Sequence, residues 1–514
     1  MNLVRAAAVV GSNTMLSRVL GFVRDVAMAN VLGAGVVSDA FFVAFKLANF
    51  LRRLFAEGAF NAAFVPMVSR ALEAGGRADA RRFAGEAFAG LTLVLVLVVI
   101  AAELFMPQLV GVLAGGYGAD DPRLPLAVQL SHITFPYILL ISLAALLGGM
   151  LNAVGRFGAA AFAPVLLNVV LIAALLASPW LPVGPAHALA WGVAIAGVAQ
   201  LAFLTRAAAR AEMLPTLTRP RWNPRIRRLA LLVLPGALGA GVAQVNMLVD
   251  LWFASHLPPG AQSYLFYADR LNQLPLGVVG IAVGTALLPV LSREVAAGDA
   301  LQARGTLNRA IQLALLLTLP ATAALVLIAQ PIVVGLFERG AFDAEASRAT
   351  AATVQAFAVG LPAYVLVKVM APAFFAREDT RTPVLVAAAA LVANVVLILL
   401  FIDALAHVGI ALATALANWL NVALLAALLA RAGWFRPDRA LAANLARALA
   451  ATCVMAAVLI GVDHLVEDWP ALGRLAALVG AGGAAFAASA LALGAVPVEL
   501  RRLVARVGAR GAAG

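Results

Sequence analysis

The sequence predicts an all-α polytopic membrane protein, with 14 transmembrane helices in two six-helix lobes related as parallel repeats and a C-terminal helix pair. Three observations carry this. Of 514 residues, 63% are hydrophobic and only 12% are charged, with a mean hydropathy of +0.97, whereas soluble domains carry about 25% charged residues. Apolar runs of roughly 20 residues, the length that crosses hydrocarbon, recur from end to end. These runs are continuous in Ala, Leu and Val. They lack the alternation of an outer-membrane barrel, so they select helices, which satisfy their own backbone groups in lipid.

Taken in order, the spans are expected at 3–33, 37–69, 82–113, 124–152, 160–178, 187–208, 226–256, 262–292, 305–336, 347–376, 382–402, 408–431, 441–462 and 474–497. Breaks between them fall on turn formers such as Gly115-Gly116, Pro182 to Pro185 and Pro258-Pro259-Gly260. The first span is not a cleaved signal peptide, because Arg18 and Arg24 interrupt the apolar stretch one would need. Loops after the even-numbered spans are rich in arginine, for example Arg70, Arg77, Arg81 and Arg82, or Arg219, Arg221, Arg225, Arg227 and Arg228. The opposite loops hold Arg123, Arg339 and Arg348, with acids such as Asp120, Asp121, Asp463, Glu467 and Asp468. This bias places both termini in the cytoplasm, and an odd number of spans would scramble it.

The chain also repeats itself. Ala63-Phe-Val-Pro-Met-Val-Ser-Arg70 returns as Ala286-Leu-Leu-Pro-Val-Leu-Ser-Arg293, and Asn168-Val-Val-Leu-Ile172 returns as Asn394-Val-Val-Leu-Ile398. Pro136 and Pro362 fall in register with the second match. A six-helix duplication with both copies in one orientation follows, the parallel two-lobe plan that puts a substrate cavity near the membrane midplane. The lobes are 1–215 and 216–435. Residues 436–514 hold the last two helices and a basic cytoplasmic tail.

Several function classes are excluded. Cys453 is the single cysteine, so neither a disulfide within the chain nor a multi-cysteine metal site forms. The net charge of +12 sits in short loops between spans and gives no basic groove for nucleic acid. No phosphate-binding Gly-rich loop of the nucleotide-hydrolysing kind is present, and His132, His187, His256, His407 and His464 form no nucleophilic set. No organic cofactor is called for.

Charges within spans cost about 2.5–3.5 kcal/mol each on insertion scales, and are therefore functional candidates. Span 1 carries Ser17, Arg18, Arg24 and Asp25. Arg18 and Asp25 share a face, being seven residues apart, while Arg24 points about 120° away from Arg18. Span 2 carries Asp39, Phe42, Lys46, Asn49, Arg53 and Glu57 on one face, with Arg52 beside it. Span 7 holds Asn246 and Asp250, and span 8 brings Ser263, Tyr267 and Arg270 to one face. A guanidinium stays charged at any working pH and forks onto phosphate oxygens. With no matching density of acids, a cavity lined by these arginines is expected to be cationic and to suit a phosphate or diphosphate. A pump for cationic drugs would show the reverse.

The same residues carry a resemblance. Ser17-Arg-Val-Leu-Gly-Phe-Val-Arg-Asp25, Asp39-Ala-Phe-Phe-Val-Ala-Phe-Lys46 and Leu51-Arg-Arg-Leu-Phe-Ala-Glu-Gly-Ala-Phe60 resemble the MurJ/MviN lipid II flippases, as do Tyr267-Ala-Asp-Arg270 and Asp379-Thr-Arg-Thr-Pro383. The likeness covers essentially the whole chain. It implies the multidrug/oligosaccharidyl-lipid/polysaccharide exporter superfamily, fourteen helices, and a transporter rather than an enzyme. It also implies alternating-access movement of lipid II, the undecaprenyl-pyrophosphate-linked peptidoglycan precursor, across the bacterial inner membrane. The substrate-binding residues it implies are Arg18, Arg24, Asp39, Arg52 and Arg270, with Ser17, Asp25, Lys46, Arg53 and Glu57 as further cavity lining. The helical stripe favours Arg53 at the cavity, whereas the family pattern favours Arg52. Some members bind sodium in the second lobe, and Asp250 and Asp379 resemble such ligands. Lipid II and the surrounding membrane lipids are the partners implied; the oligomeric state is left open, a monomer being compatible with it. The alternatives are a flippase for another polyprenyl-linked glycan and a drug or ion antiporter of the same superfamily.

Overall fold

The computed structural model describes residues 3–55 and 59–497, and their side chains except those of residues 3–7, 51–55, 59, 234–243 and 278–286. The described residues form helices and the loops between them, without strands. The helices α1 (Leu3–Leu32), α2 (Val36–Phe55), α3 (Ala59–Leu104) and α4 (Met106–Leu113) come first. Next are α5 (Arg123–Thr134), α6 (Tyr137–Ala153), α7 (Phe157–Ala177), α8 (Pro185–Arg210) and α9 (Pro224–Ser255). Then follow α10 (Ala261–Ala296), α11 (Ala300–Leu327), α12 (Ala329–Phe337) and α13 (Ala344–Phe375). The chain continues with α14 (Arg381–Arg431), α15 (Arg439–Leu465) and α16 (Ala471–Ala492).

Among the described residues, nine helices are long and apolar enough to cross a membrane. The helices α1, α2, α9 and α10 are outside that nine, and they carry the intramembrane charges singled out above. The whole set is consistent with fourteen spans. Two breaks fall where they are expected. α3 consists of two helical segments that meet at Gly76, inside the expected loop at 70–81, with a φ of 69° that only glycine adopts freely. Likewise α14 consists of two segments that meet at Ala406, inside the expected break at 403–407, and the Thr414 hydroxyl reaches back to Asn394 Oδ1 at 3.3 Å. Elsewhere two expected spans are interrupted. The span at 124–152 is divided where Pro136 precedes α6, since proline has no N–H to continue the ladder. The span at 305–336 is divided at Ile328.

The chain forms two compact units. One is Met1–Ser263 with Arg339–Phe342, and the other is Tyr264–Glu338 with Asp343–Gly514. These units follow contacts, whereas the division at 215/216 follows the repeat, and α9 packs on α3 in the first unit. In lipid, apolar side chains gain nothing by leaving water, so cohesion rests on close packing. The first unit supplies it through a stack of Phe60 on Phe64 and Phe64 on Phe83, with ring centroids 5.2 Å and 5.9 Å apart. Here α1 packs on α7, α2 on α5, and α3 on α6. In the second unit α13 lies against α11 and α14, and the C-terminal pair α15 and α16 packs on α11 and α12. The cores there are Leu307, Ile311, Leu366, Val369 and Leu425, and, beneath the pair, Ile328, Met455, Leu459 and Leu478.

The short segment Arg339–Phe342 closes the first unit. The Ala341 N–H donates to the Asn30 carbonyl at 2.8 Å. Gly33, at φ 65°, meets it so closely that a Cβ there would lie 2.3 Å from the Ala341 oxygen.

Candidate functional site

Within the first unit, α1 and α7 hold Arg24 in a buried polar network. Only 6% of Arg24 is exposed. Its Nε–H and an Nη2–H donate to Asp25 Oδ1 at 3.0 Å and 2.6 Å, and an Nη1–H donates to Asn168 Oδ1 at 2.9 Å. The guanidinium also lies 5.7 Å from the Phe45 ring centroid, a cation–π contact. Asn168 Nδ2–H donates in turn to the Ser17 carbonyl at 2.9 Å. Asp25, the next residue in the chain, neutralises Arg24. Arg18 and Asp25 share a helical face, yet Arg18 is exposed while Asp25 is 2% exposed. The Arg24 side chain is long enough to fold back on the adjacent residue, which a wheel of Cα positions does not register. Of five guanidinium N–H groups, three are used. Two, one on each Nη, have no protein acceptor among the described residues.

A second network is built on Asp39, which is fully buried. Its Oδ1 accepts the Ser263 N–H at 3.0 Å and the Ser263 hydroxyl at 2.6 Å, and its Oδ2 accepts the Gly260 N–H at 2.8 Å. Arg123 Nη1 lies 3.6 Å from the same Oδ2. Thus Asp39 caps the first turn of α10, where unpaired backbone N–H groups favour an anion. Arg123 forks onto Asp121 at 2.7–3.1 Å, donates to the Leu257 carbonyl at 3.1 Å and lies 4.4 Å from the Tyr117 ring centroid. The Tyr117 hydroxyl accepts from Gln262 at 3.0 Å. Those hydrogen bonds from Arg123 hold the Asp121 carboxyl below its usual range, and burial pushes the Tyr117 hydroxyl up. The network ties together the loop before α5, the start of α2 and the α9–α10 turn. Both carboxylate oxygens of Asp39 are engaged by donors of the protein itself, in three hydrogen bonds with Arg123 close by.

The remaining expected residues are dispersed. Ser17 offers its carbonyl to Asn168 and Lys46 is half-buried on α2. Arg52 and Arg53 lie on the last turn of α2, but their side chains are outside the described residues, as is Glu57 altogether. In the second unit Arg270 is half-buried, 4.7 Å from the Phe266 ring centroid, and donates to Gln273 at 3.3 Å. Asp250 accepts from Asn246 at 3.5 Å in the first unit. Asp379 caps α14, accepting the Thr382 N–H at 2.9 Å, and those bonds keep its carboxyl below the usual range. Among the described residues no three His, Cys, Asp or Glu side chains converge as a metal site. Two residues were missed from the sequence. Asn168 had appeared only as a repeat marker, and Arg123 only as a lone basic residue in an acidic loop.

Fold and site define a class first, the polytopic α-helical membrane proteins with charged side chains buried among their helices. An inward-facing multidrug resistance MATE family transporter of the MOP superfamily matches with a TM-score of 0.68 at 14% identity, over 83% of this chain and 98% of that one, a likeness of fold. The family model described as lipid II flippase MurJ matches residues 28–479. A Rhizobium meliloti protein named as a probable lipid II flippase MurJ is 46% identical over 474 residues, 91% of this chain and 88% of that one. A solved structure of a lipid II flippase MurJ in an inward closed conformation matches with a TM-score of 0.77 at 25% identity, over 94% and 97% of the two chains. This chain belongs to the MurJ family of lipid II flippases, a family of transporters and not of enzymes.

Proposed function

We propose that the protein is a flippase that carries lipid II from the cytoplasmic to the periplasmic leaflet of a bacterial inner membrane by alternating access. The observation that carries this reading is Arg24, buried in a bundle of spans, anchored on one side by Asp25 and Asn168, and left with two N–H donors. A pyrophosphate oxygen is the acceptor that such a guanidinium suits, through charge-assisted bonds strengthened where water is scarce. Family membership supplies the lipid that bears the pyrophosphate.

In this reading Arg18, Arg52 and Arg270 add cationic contacts to the head group along its path, and the Asp39 network keeps the extracytoplasmic end shut while cargo loads. The arginine bias of the loops puts both termini in the cytoplasm. The repeat lobes 1–215 and 216–435 are the parts that rock, with the helices of 436–514 as an accessory pair. Asp250, with Asn246 beside it, is the residue at which a sodium ion would be sought.

The test is depletion of the protein in its host, followed by assay of which lipid-linked precursor accumulates in the cytoplasmic leaflet. Accumulation of lipid II, reversed by the native chain and not by Arg24→Ala, is the expected result. Accumulation of a different polyprenyl-linked glycan, with lipid II distributed normally, would overturn the assignment of cargo.

A further inference from the structure

The linker between α8 and α9 is the part of the described surface that the transport reading does not use. It has no helix from 213 to 223, yet it is held firmly. The Thr216 N–H donates to the Arg81 carbonyl at 3.2 Å, and Arg81 Nε–H returns to the Leu214 carbonyl at 2.8 Å. Met213 is fully buried, and a Cβ on Gly85 would lie 2.0 Å from the Thr216 oxygen. Asn223 bonds Glu86 at 2.7 Å, Arg225 bonds Asp79 at 2.8 Å, and Arg77 bonds Glu212 at 2.5 Å.

Asp79, Glu86 and Glu212 are thus engaged in holding the linker in place. What the linker presents outward is apolar and cationic. Leu217 is 96% exposed and Trp222 is 74% exposed. Beside them Arg219, Arg221, Arg227 and Arg228 are exposed, with no ion pair or hydrogen bond among the described residues. The patch sits where α8 ends and α9 begins, hence at the level where spans leave hydrocarbon. At that level an indole rests between headgroups and acyl chains, and arginines beside an anionic leaflet each gain about a fivefold preference for it.

We propose that residues 214–228 form a built-in anchor for anionic phospholipid headgroups. Leu217 and Trp222 enter the headgroup boundary, and Arg219, Arg221, Arg227 and Arg228 engage the lipid phosphates. The linker is pinned to α3 in advance, so binding orders little new chain and the anchor sets the depth of α3 and α9 in the leaflet. This inference rests on the membrane fold and is independent of which lipid is carried.

The full chain is reconstituted in phosphatidylcholine vesicles containing phosphatidylglycerol, with brominated acyl chains placed on one lipid or the other. Emission of Trp222 is isolated as the difference between the native protein and Trp222→Phe. Brominated phosphatidylglycerol should quench Trp222 more strongly than brominated phosphatidylcholine at equal mole fraction. Arg219→Gln with Arg221→Gln should reduce that preference by about tenfold or more, added salt should weaken it, and the corresponding lysine pair should keep it. No polyprenyl lipid is present, so any preference belongs to the phospholipid. Equal quenching by the two lipids overturns the anionic assignment. Absence of quenching by either overturns the anchor and leaves the patch facing water or a protein partner.

Discussion

The two buried polar networks of the first unit differ in what they leave unsatisfied. Asp39 accepts three hydrogen bonds, has Arg123 close by and is fully buried. Arg24 is almost as buried, but three N–H groups are spent and two remain. A saturated network in low dielectric is rigid and costly to break, while an unsaturated one is costly to leave empty and so favours an incoming partner. Burial of charge alone therefore does not mark a binding residue. In the function proposed above, the count of open donors is what distinguishes the two networks.

The largest expected effect is on transport through Arg24. Arg24→Ala should reduce lipid translocation to background while the protein still inserts. Arg24→Lys should restore little of it, since an ammonium cannot fork onto Asp25 and reach Asn168 together. Normal flipping by the alanine variant in reconstituted vesicles would dismiss Arg24 as a recognition group.

Removing the Asp39 network should act first on stability. Asp39→Ala leaves the N–H groups of Gly260 and Ser263 and one side of Arg123 unpaired, at a cost of about 3–5 kcal/mol, read by thermal unfolding in detergent. A loss under about 1 kcal/mol would mean that the network is not saturated in the working protein. Asn168→Ala, which frees Arg24 from α7 without removing Asp25, should cost about 1–3 kcal/mol. It should also slow flipping by about tenfold, the equivalent of 1.4 kcal/mol. If translocation and stability both stay native, Asn168 does not position the guanidinium.

The smallest effect concerns pH. Arg123 depresses the Asp121 carboxyl, so the folded value lies below the unfolded one of about 3.9. The stabilisation is then present above about pH 4 and lost as pH falls through the lowered folded value. Native protein should exceed Asp121→Asn in thermal stability near neutral pH and converge with it in acid. A gap that persists unchanged in acid would show that Asp121 acts by packing and not by its charge.

Much of the fold was legible because long apolar runs leave few other arrangements, and because arginines collect at one set of span ends. The breaks at Gly76 and Ala406 fall within the expected connections at 70–81 and 403–407, whereas the interruptions at Pro136 and Ile328 lie inside expected spans and were not foreseen. Arg24 was legible as a charge in an apolar run. Its partner Asn168, 144 residues away, was hidden because an asparagine among Val and Leu announces no contact. Arg123 was hidden for a different reason. Its loop reads as a hydrated connection, and nothing local foretells that Leu257 and Asp39 will enclose it. The stripe on span 2 placed Asp39 in the interior, while its partners Gly260 and Ser263 lie too far along the chain for a helical stripe to show them.

The segment Arg339–Phe342 has a consequence for how the molecule is made. The first unit needs the Ala341 N–H to satisfy Asn30 and its carbonyl to fill the notch over Gly33. Ribosomal synthesis delivers that piece only after α10, α11 and α12 have been threaded into the bilayer. A fragment ending at Ser263 would therefore retain a vacant groove at Gly33, and its maturation in the cell should wait on translation through Phe342.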